Sequence, residues 1–216
     1  ILVNAFPEAN VDVAGSKAIT ISGGSLRREV DVIPSHWYDN AEYQQSLLKK
    51  DRGIFIYLKK ENDRSLNYPF LHMHQIQIKD DVTLGNTKKI IRLLKTLVAD
   101  YEEGTPIELS SYDIASLVWH FENAPLLVHN WNELALLWVT KANLDSMVAN
   151  ENHTKDLITP AGTRKIIDKE AKFLSLIRLR NEVNDLVVEV ANELSGLNTY
   201  TEAEISKTLR ESLIMP

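Results

Sequence analysis

"GSKAITISGGSLRREVDV", residues 15–32, decides how this chain folds. Its centre, Ile19-Thr20-Ile21, is β-branched, and such side chains lose freedom in a helix. Gly23 and Gly24 follow, and each glycine would cost a helix about 1 kcal/mol. With Ser22 and Ser25 they supply turn chemistry instead. "REVDVIP", residues 28–34, then alternates apolar and polar side chains until Pro34, which cannot donate to a strand ladder. Residues 11–34 therefore read as a β-hairpin, or two strands joined by a short loop. Alternation places Asp31 on the face opposite Val30 and Val32, and on the same face as Glu29.

Outward from this stretch, "RGIFIYLKK" (52–60) reads as a further strand and "NDRSLNYP" (62–69) as loop. In "LHMHQIQ" (71–77), His72 and His74 would point the same way on a strand, but a zinc site needs a third ligand that is not in view. From about Thr83 the period changes. "TLGNTKKIIRLLKTLVADYEEG" puts Ile90, Leu93, Leu94, Leu97 and Val98 on one helical face, with Gly104 as the expected stop. "SSYDIASLVWHFEN" follows, with Ser110 or Ser111 as N-cap. Three further helical segments run to the C-terminus, one of them closing at Gly196. Trp119, Trp131 and Trp138 are expected in the helical core. His120 and His129 are expected on a helix surface and in a loop. Strands followed by helices make an α+β pattern.

The 216 residues suit one large domain or two small ones. No cysteine is present, so disulfides and thiolate metal sites are excluded, which fits a cytoplasmic protein. No apolar run reaches the ~20 residues of a membrane-spanning helix, and no membrane association is expected. The N-terminus lacks the layout of a signal peptide. A net charge of −6 argues against strong nonspecific nucleic-acid binding, while a small anionic substrate held by a few local cations fits well. The chain opens on Ile1 rather than methionine, which leads us to expect a trimmed or partial polypeptide.

Several motifs resemble those of the polymerase-β-like nucleotidyltransferases. Read literally, Gly15-Ser16 and Glu29-Val30-Asp31 resemble the family's Gly-Ser and Asp-x-Asp signature. That signature needs a short helix between its halves, and the spacer here is strand and turn, so the literal match is set aside. "VDVIP" instead resembles the strand that carries the family's third carboxylate, with Asp31 in that role. "GIFIYL" followed by "LNYPFLHMHQIQIKDDVT" is similar to the Asn-x-Pro-x-x-His region of the cyclic-oligonucleotide-synthase branch, the bacterial relatives of cGAS and oligoadenylate synthase. "KKIIRLLKTL" resembles the helix that brings a lysine to the triphosphate, and "LSSYDIASLV" the Ser-Tyr helix start that binds phosphate and stacks on the base. The resemblance covers about residues 10–120.

The resemblance implies a remainder of a mixed β-sheet nucleotidyltransferase core, residues 1–80, followed by a helical nucleotide-binding domain, residues 81–216. Asp31 would be the catalytic and Mg²⁺-binding carboxylate, because Mg²⁺ prefers hard oxygen ligands. Lys95, with Arg92 one turn away on the same surface, would face the phosphates of ATP or GTP. Ser111 would bind phosphate at a helix N-terminus, Ser110 exchanging roles with it, and Tyr112 would stack on the base. The family's Gly-Ser and Asp-x-Asp would then lie ahead of Ile1, on a missing N-terminal segment or a partner subunit. The product implied is a cyclic or linear oligonucleotide signal, as in bacterial anti-phage systems. Transfer to an RNA or protein acceptor, and a non-catalytic nucleotide-binding or interaction domain, are the alternatives. On the residues alone each of these side chains also fits a plainer role: Asp31, Arg92 and Lys95 on solvated faces, the serines as caps and Tyr112 in the core.

Overall fold

The β-branched segment at Ile19 does pair as a strand on both sides. In the computed structural model, which describes residues 1–196 and 201–212, the chain divides into two compact units, Ile1–His72 and Met73–Pro216. The first opens with a short helix α1 (Leu2–Ala5) and an antiparallel sheet of β1 (Asn10–Asp12), β2 (Ile19–Ser22) and β3 (Val30–Val32), with β2 central. Thr20 lies opposite Asp31 and Ile21 opposite Val30. The Gly23-Gly24 turn between β2 and β3 has both glycines at positive φ, and a Cβ on Gly24 would press on the Glu8 backbone at 3.0 Å.

A second antiparallel sheet consists of β4 (Ser35–Tyr38), β5 (Gly53–Leu58) and β6 (Asp63–Asn67), with helix α2 (Ala41–Ser46) between its first two strands. Strand β6 corrects the expectation of a loop at 62–69. Its residues, Asp-Arg-Ser-Leu-Asn, show no apolar alternation, and Asn62 at φ 50° makes the tight turn that folds them back on β5. Gly53 is needed where it stands, because a Cβ there would meet Tyr38, Tyr68 and Leu66 side chains at 3.1–3.2 Å. Arg52 pairs with Asp39 at 2.6 Å and lies over the Trp37 ring.

Helix α3 (Pro69–Val82) corrects a second expectation, since "LHMHQIQ" is helical. Proline suits the first position of a helix, where its missing N–H costs nothing. His72 is accordingly buried and His74 exposed, rather than both facing one way. Among the described residues no group of three or more His, Asp or Glu side chains could hold a metal. The change of period thus begins at Pro69, and Thr83–Gly85 is a break, with Leu84 and Gly85 at positive φ.

Helix α4 (Asn86–Asp100) buries Ile90, Ile91 and Leu94, with Leu97 and Val98 partly covered. It ends at Asp100, four residues before the helix-stopping Gly104 that the sequence suggested, and Gly104 turns in the following connection. Helix α5 (Ser111–Trp119), α6 (Ala135–Ala149), α7 (Glu151–Asp156), α8 (Glu170–Ser195) and α9 (Glu202–Glu211) complete the unit. In α8, Phe173, Leu176, Leu179, Val183, Val187 and Ala191 form one buried stripe at spacings of three and four. Gly196 closes α8 in the left-handed conformation, as expected. Trp119 and Trp138 pack against this core, but Trp131 does not: it is 56% exposed and stacked on His129 at 4.3 Å. No helix among the described residues is long and apolar enough to cross a membrane.

Candidate nucleotide site

In the strand unit, Asp31 sits at the middle of the edge strand β3, exposed, its Oδ1 accepting a 2.7 Å hydrogen bond from the Thr20 hydroxyl across the ladder. Glu29 precedes it and is also exposed. The donor set here is a single carboxylate with a hydroxyl beside it. One carboxylate does not fill an octahedral Mg²⁺ shell, so the residues present do not make a Mg²⁺ site by themselves.

The other residues lie in the helical unit. On α4, Lys88 and Lys89 are engaged, the first with Asp80 at 3.3 Å and the second with Glu133 at 2.5 Å. One turn further, Arg92 and Lys95 are exposed and have no ion pair among the described residues. With Thr96, Ala99 and Asp100 they line a shallow depression of about 340 Å³. The structure therefore brings Arg92 and Lys95 together as uncommitted cations, and separates them from the two lysines before them.

Helix α5 packs against α4, and its start is built with more care. Ser110 is the N-cap: its hydroxyl accepts from the Asp113 N–H at 3.1 Å and donates to Asp113 Oδ2 at 2.7 Å, while Asp113 accepts from the Ser110 N–H at 3.1 Å. This reciprocal capping box commits Ser110 to the helix. Ser111, the first helical residue, is exposed, and its hydroxyl makes no hydrogen bond among the described residues. The two serines are therefore not interchangeable. Tyr112 is half-buried, with the Arg164 guanidinium over its ring at 5.3 Å. Burial pushes its ionisation up, against the opposing pull of hydrogen bonds with the Thr159 and Thr163 hydroxyls.

Asp113 was not singled out by sequence reasoning, although Ser-x-x-Asp at 110–113 is a capping-box signature. Its side chain is 2% exposed and ion-paired to Arg164 at 2.6 Å and to Lys172 at 3.2 Å. Burial disfavours its charge, but Ser110, Arg164 and Lys172 outweigh that and hold its carboxyl below the usual range. Arg164 and Lys172 lie more than fifty residues downstream, beyond any local pattern.

No protein-family model matches the chain. It is 45% identical over 196 residues to a cyclic dinucleotide synthase, CdnE, of Yersinia aleksiciae, covering 90% of this chain and 52% of that protein. Among solved structures it resembles a STING-associated CdnE c-di-GMP synthase from Capnocytophaga granulosa, with a TM-score of 0.69 and 32% identity over 85% of this chain and 58% of that one. The fold is also that of an Elizabethkingia meningoseptica CdnE solved with GTP and Apcpp, with a TM-score of 0.62 at 19% identity, over 86% of this chain and 67% of that one. The chain spans about half the length of the curated relatives it matches.

Proposed function

The chain belongs to the CdnE cyclic dinucleotide synthase family, and from that premise we propose that it is the C-terminal portion of a synthase that makes a cyclic dinucleotide from ATP, GTP or both. In the complete polypeptide, Ser111 at the start of α5 and Lys95 and Arg92 on α4 hold the triphosphate, and Tyr112 stacks on the base. A point cation near the phosphates offsets charge while the substrate is positioned. A helix N-terminus with a free hydroxyl adds oriented donors. A ribose hydroxyl of one nucleotide attacks the α-phosphate of the other and pyrophosphate leaves. Asp31 would need two further carboxylates, from polypeptide ahead of residue 1 or from a partner, to complete a set of hard oxygen ligands for Mg²⁺, which would supply charge stabilisation to the phosphoryl oxygens.

The observation that carries this reading is the 45% identity with the Yersinia aleksiciae protein over nine-tenths of the chain. The exposed apolar side chains of the strand unit, among them Val13, Val30 and Ile33, support the presence of covering polypeptide. The test is an assay of the full-length polypeptide with mixed ATP and GTP, its products identified by mass spectrometry. Asp31→Asn is expected to lower turnover by several orders of magnitude and to keep the fold. Normal activity in that variant removes Asp31 from the metal site. The 216-residue chain alone is expected to catalyse nothing, and turnover by it would restore the literal reading of residues 15–31.

A further inference from the structure

The segment Leu157–Ile166 contributes nothing to the motifs above, yet it folds into a small hairpin whose polar side chains converge on the start of α5. Ile158 and Lys165 bridge antiparallel, Ile166 N–H bonds Leu157 O at 2.9 Å and Thr159 N–H bonds Arg164 O at 3.0 Å. Gly162 turns the tip at φ 69°. Leu157 and Ile166 are buried at its base. The far end of α5 holds it as well: Ile158 O can only accept, so the 2.7 Å contact with His120 Nε2 is a hydrogen bond donated by the ring.

From this base three side chains reach Tyr112. Arg164 lies over its ring, 5.3 Å from the centroid, and Thr159 and Thr163, 3.3 Å apart at their hydroxyls, act on the Tyr112 hydroxyl by favouring its ionised form. The guanidinium is itself fixed on its edges, by Asp113 Oδ1 at 2.6 Å and by the Lys165 carbonyl at 3.0 Å. Each terminal nitrogen of the guanidinium is thus anchored inside the protein, which fixes its plane and makes it a good support for the ring. The same Asp113 fixes Ser110. One carboxylate thus ties the hairpin to the capping box on either side of Ser111.

We infer that the 157–166 hairpin, through Arg164, is a positioning device that holds the Tyr112 ring in the orientation that stacks on a nucleobase. This rests on the reading of Tyr112 as the base platform. A ring already held by the guanidinium loses little further freedom when a base stacks on it, so binding is tighter than to a free tyrosine. Arg164 is a positioning residue that acts through Tyr112.

The test is a double-mutant cycle on the affinity of the full-length polypeptide for ATP and GTP, measured by calorimetry. Tyr112→Ala is expected to weaken binding by about ten- to a hundredfold, the worth of one stacked base. Arg164→Gln is expected to weaken it by about three- to tenfold, and to have no further effect once Tyr112→Ala is present. A support for the fold alone would lower the melting temperature and leave affinity unchanged, or would weaken binding equally on both backgrounds. Either result overturns the inference while the nucleotide site stands. If Tyr112→Ala binds as the unaltered protein does, or the unaltered protein binds neither nucleotide, the site reading fails and the inference with it. Should Arg164→Gln not fold, Arg164→Lys keeps the charge beside Asp113 but removes the planar group from the ring, and enters the same cycle with a smaller loss expected and the same outcomes decisive.

Discussion

Residues 73–216 bury a continuous apolar cluster from Ile76 to Leu209, whereas in residues 1–72 Ile21 is the one large apolar side chain that is fully buried. The first 72 residues hold their shape with backbone ladders and polar clips, such as Thr20 on Asp31, Ser16 on Glu61 and Arg52 on Asp39. Three-stranded sheets with no packed face are marginal in water. The helical unit can afford buried charge at Asp113 because its core carries the stability. The strand unit has no such reserve, and the apolar faces it leaves open are what a further layer of polypeptide would cover.

The largest effect expected from this contrast is mutational. Leu176→Ala, at a fully buried position of α8, should cost about 2–5 kcal/mol in denaturant unfolding. Val30→Ser, on the open face of β3, should stay within about 0.5 kcal/mol in the 216-residue chain, and cost about 1–3 kcal/mol in the full-length polypeptide if that face is covered there. Equal costs in both proteins would break the idea of a covering layer. Hydrogen exchange sharpens the contrast next. Amides of α8 should exchange near the limit of global unfolding, and those of β1–β3 faster by at least about a hundredfold. Similar protection in both units would show that the strands have support not visible in their packing.

The smallest effect is a pH dependence confined to the helical unit. Burial lowers the pKa of His120, in part opposed by its bond to the Ile158 carbonyl. The unfolded chain then takes up the proton first, so His120 contributes full stability above pH 6.5, and that contribution falls away as pH drops through 6.5 toward the folded value. Melting temperatures between pH 8 and 5 should decline, and less so in His120→Gln. An unchanged slope in that variant would assign the decline to other groups.

The helices from Asn86 onward were legible because their apolar residues recur at helical spacing and must face one core. Strand β6 was not, because Asp63, Arg64 and Ser65 carry no alternation where neither face is buried. Helix α3 was missed because Pro69 looked like the end of a loop, although it is the first residue of a helix. At the candidate site, the residues adjacent in sequence, Ser110 to Tyr112 and Arg92 with Lys95, could be named in advance. Their supports, Thr159, Thr163, Arg164 and Lys172, come from a hairpin and a helix far along the chain, and only the fold brings them in.

The turn between α3 and α4 has a consequence for anyone who would rearrange this protein. Gly85, at the N-cap of α4, has no side chain to cap with, and Asp80 on the preceding helix does the work by accepting from the Lys88 N–H at 2.9 Å and pairing with the Lys88 side chain. A circular permutant or split protein opened at residues 83–85 would break the chain between the helix that carries Lys95 and the carboxylate that caps it. The connection at 102–106 is exposed, with open space around Gly104, and is the better place to cut.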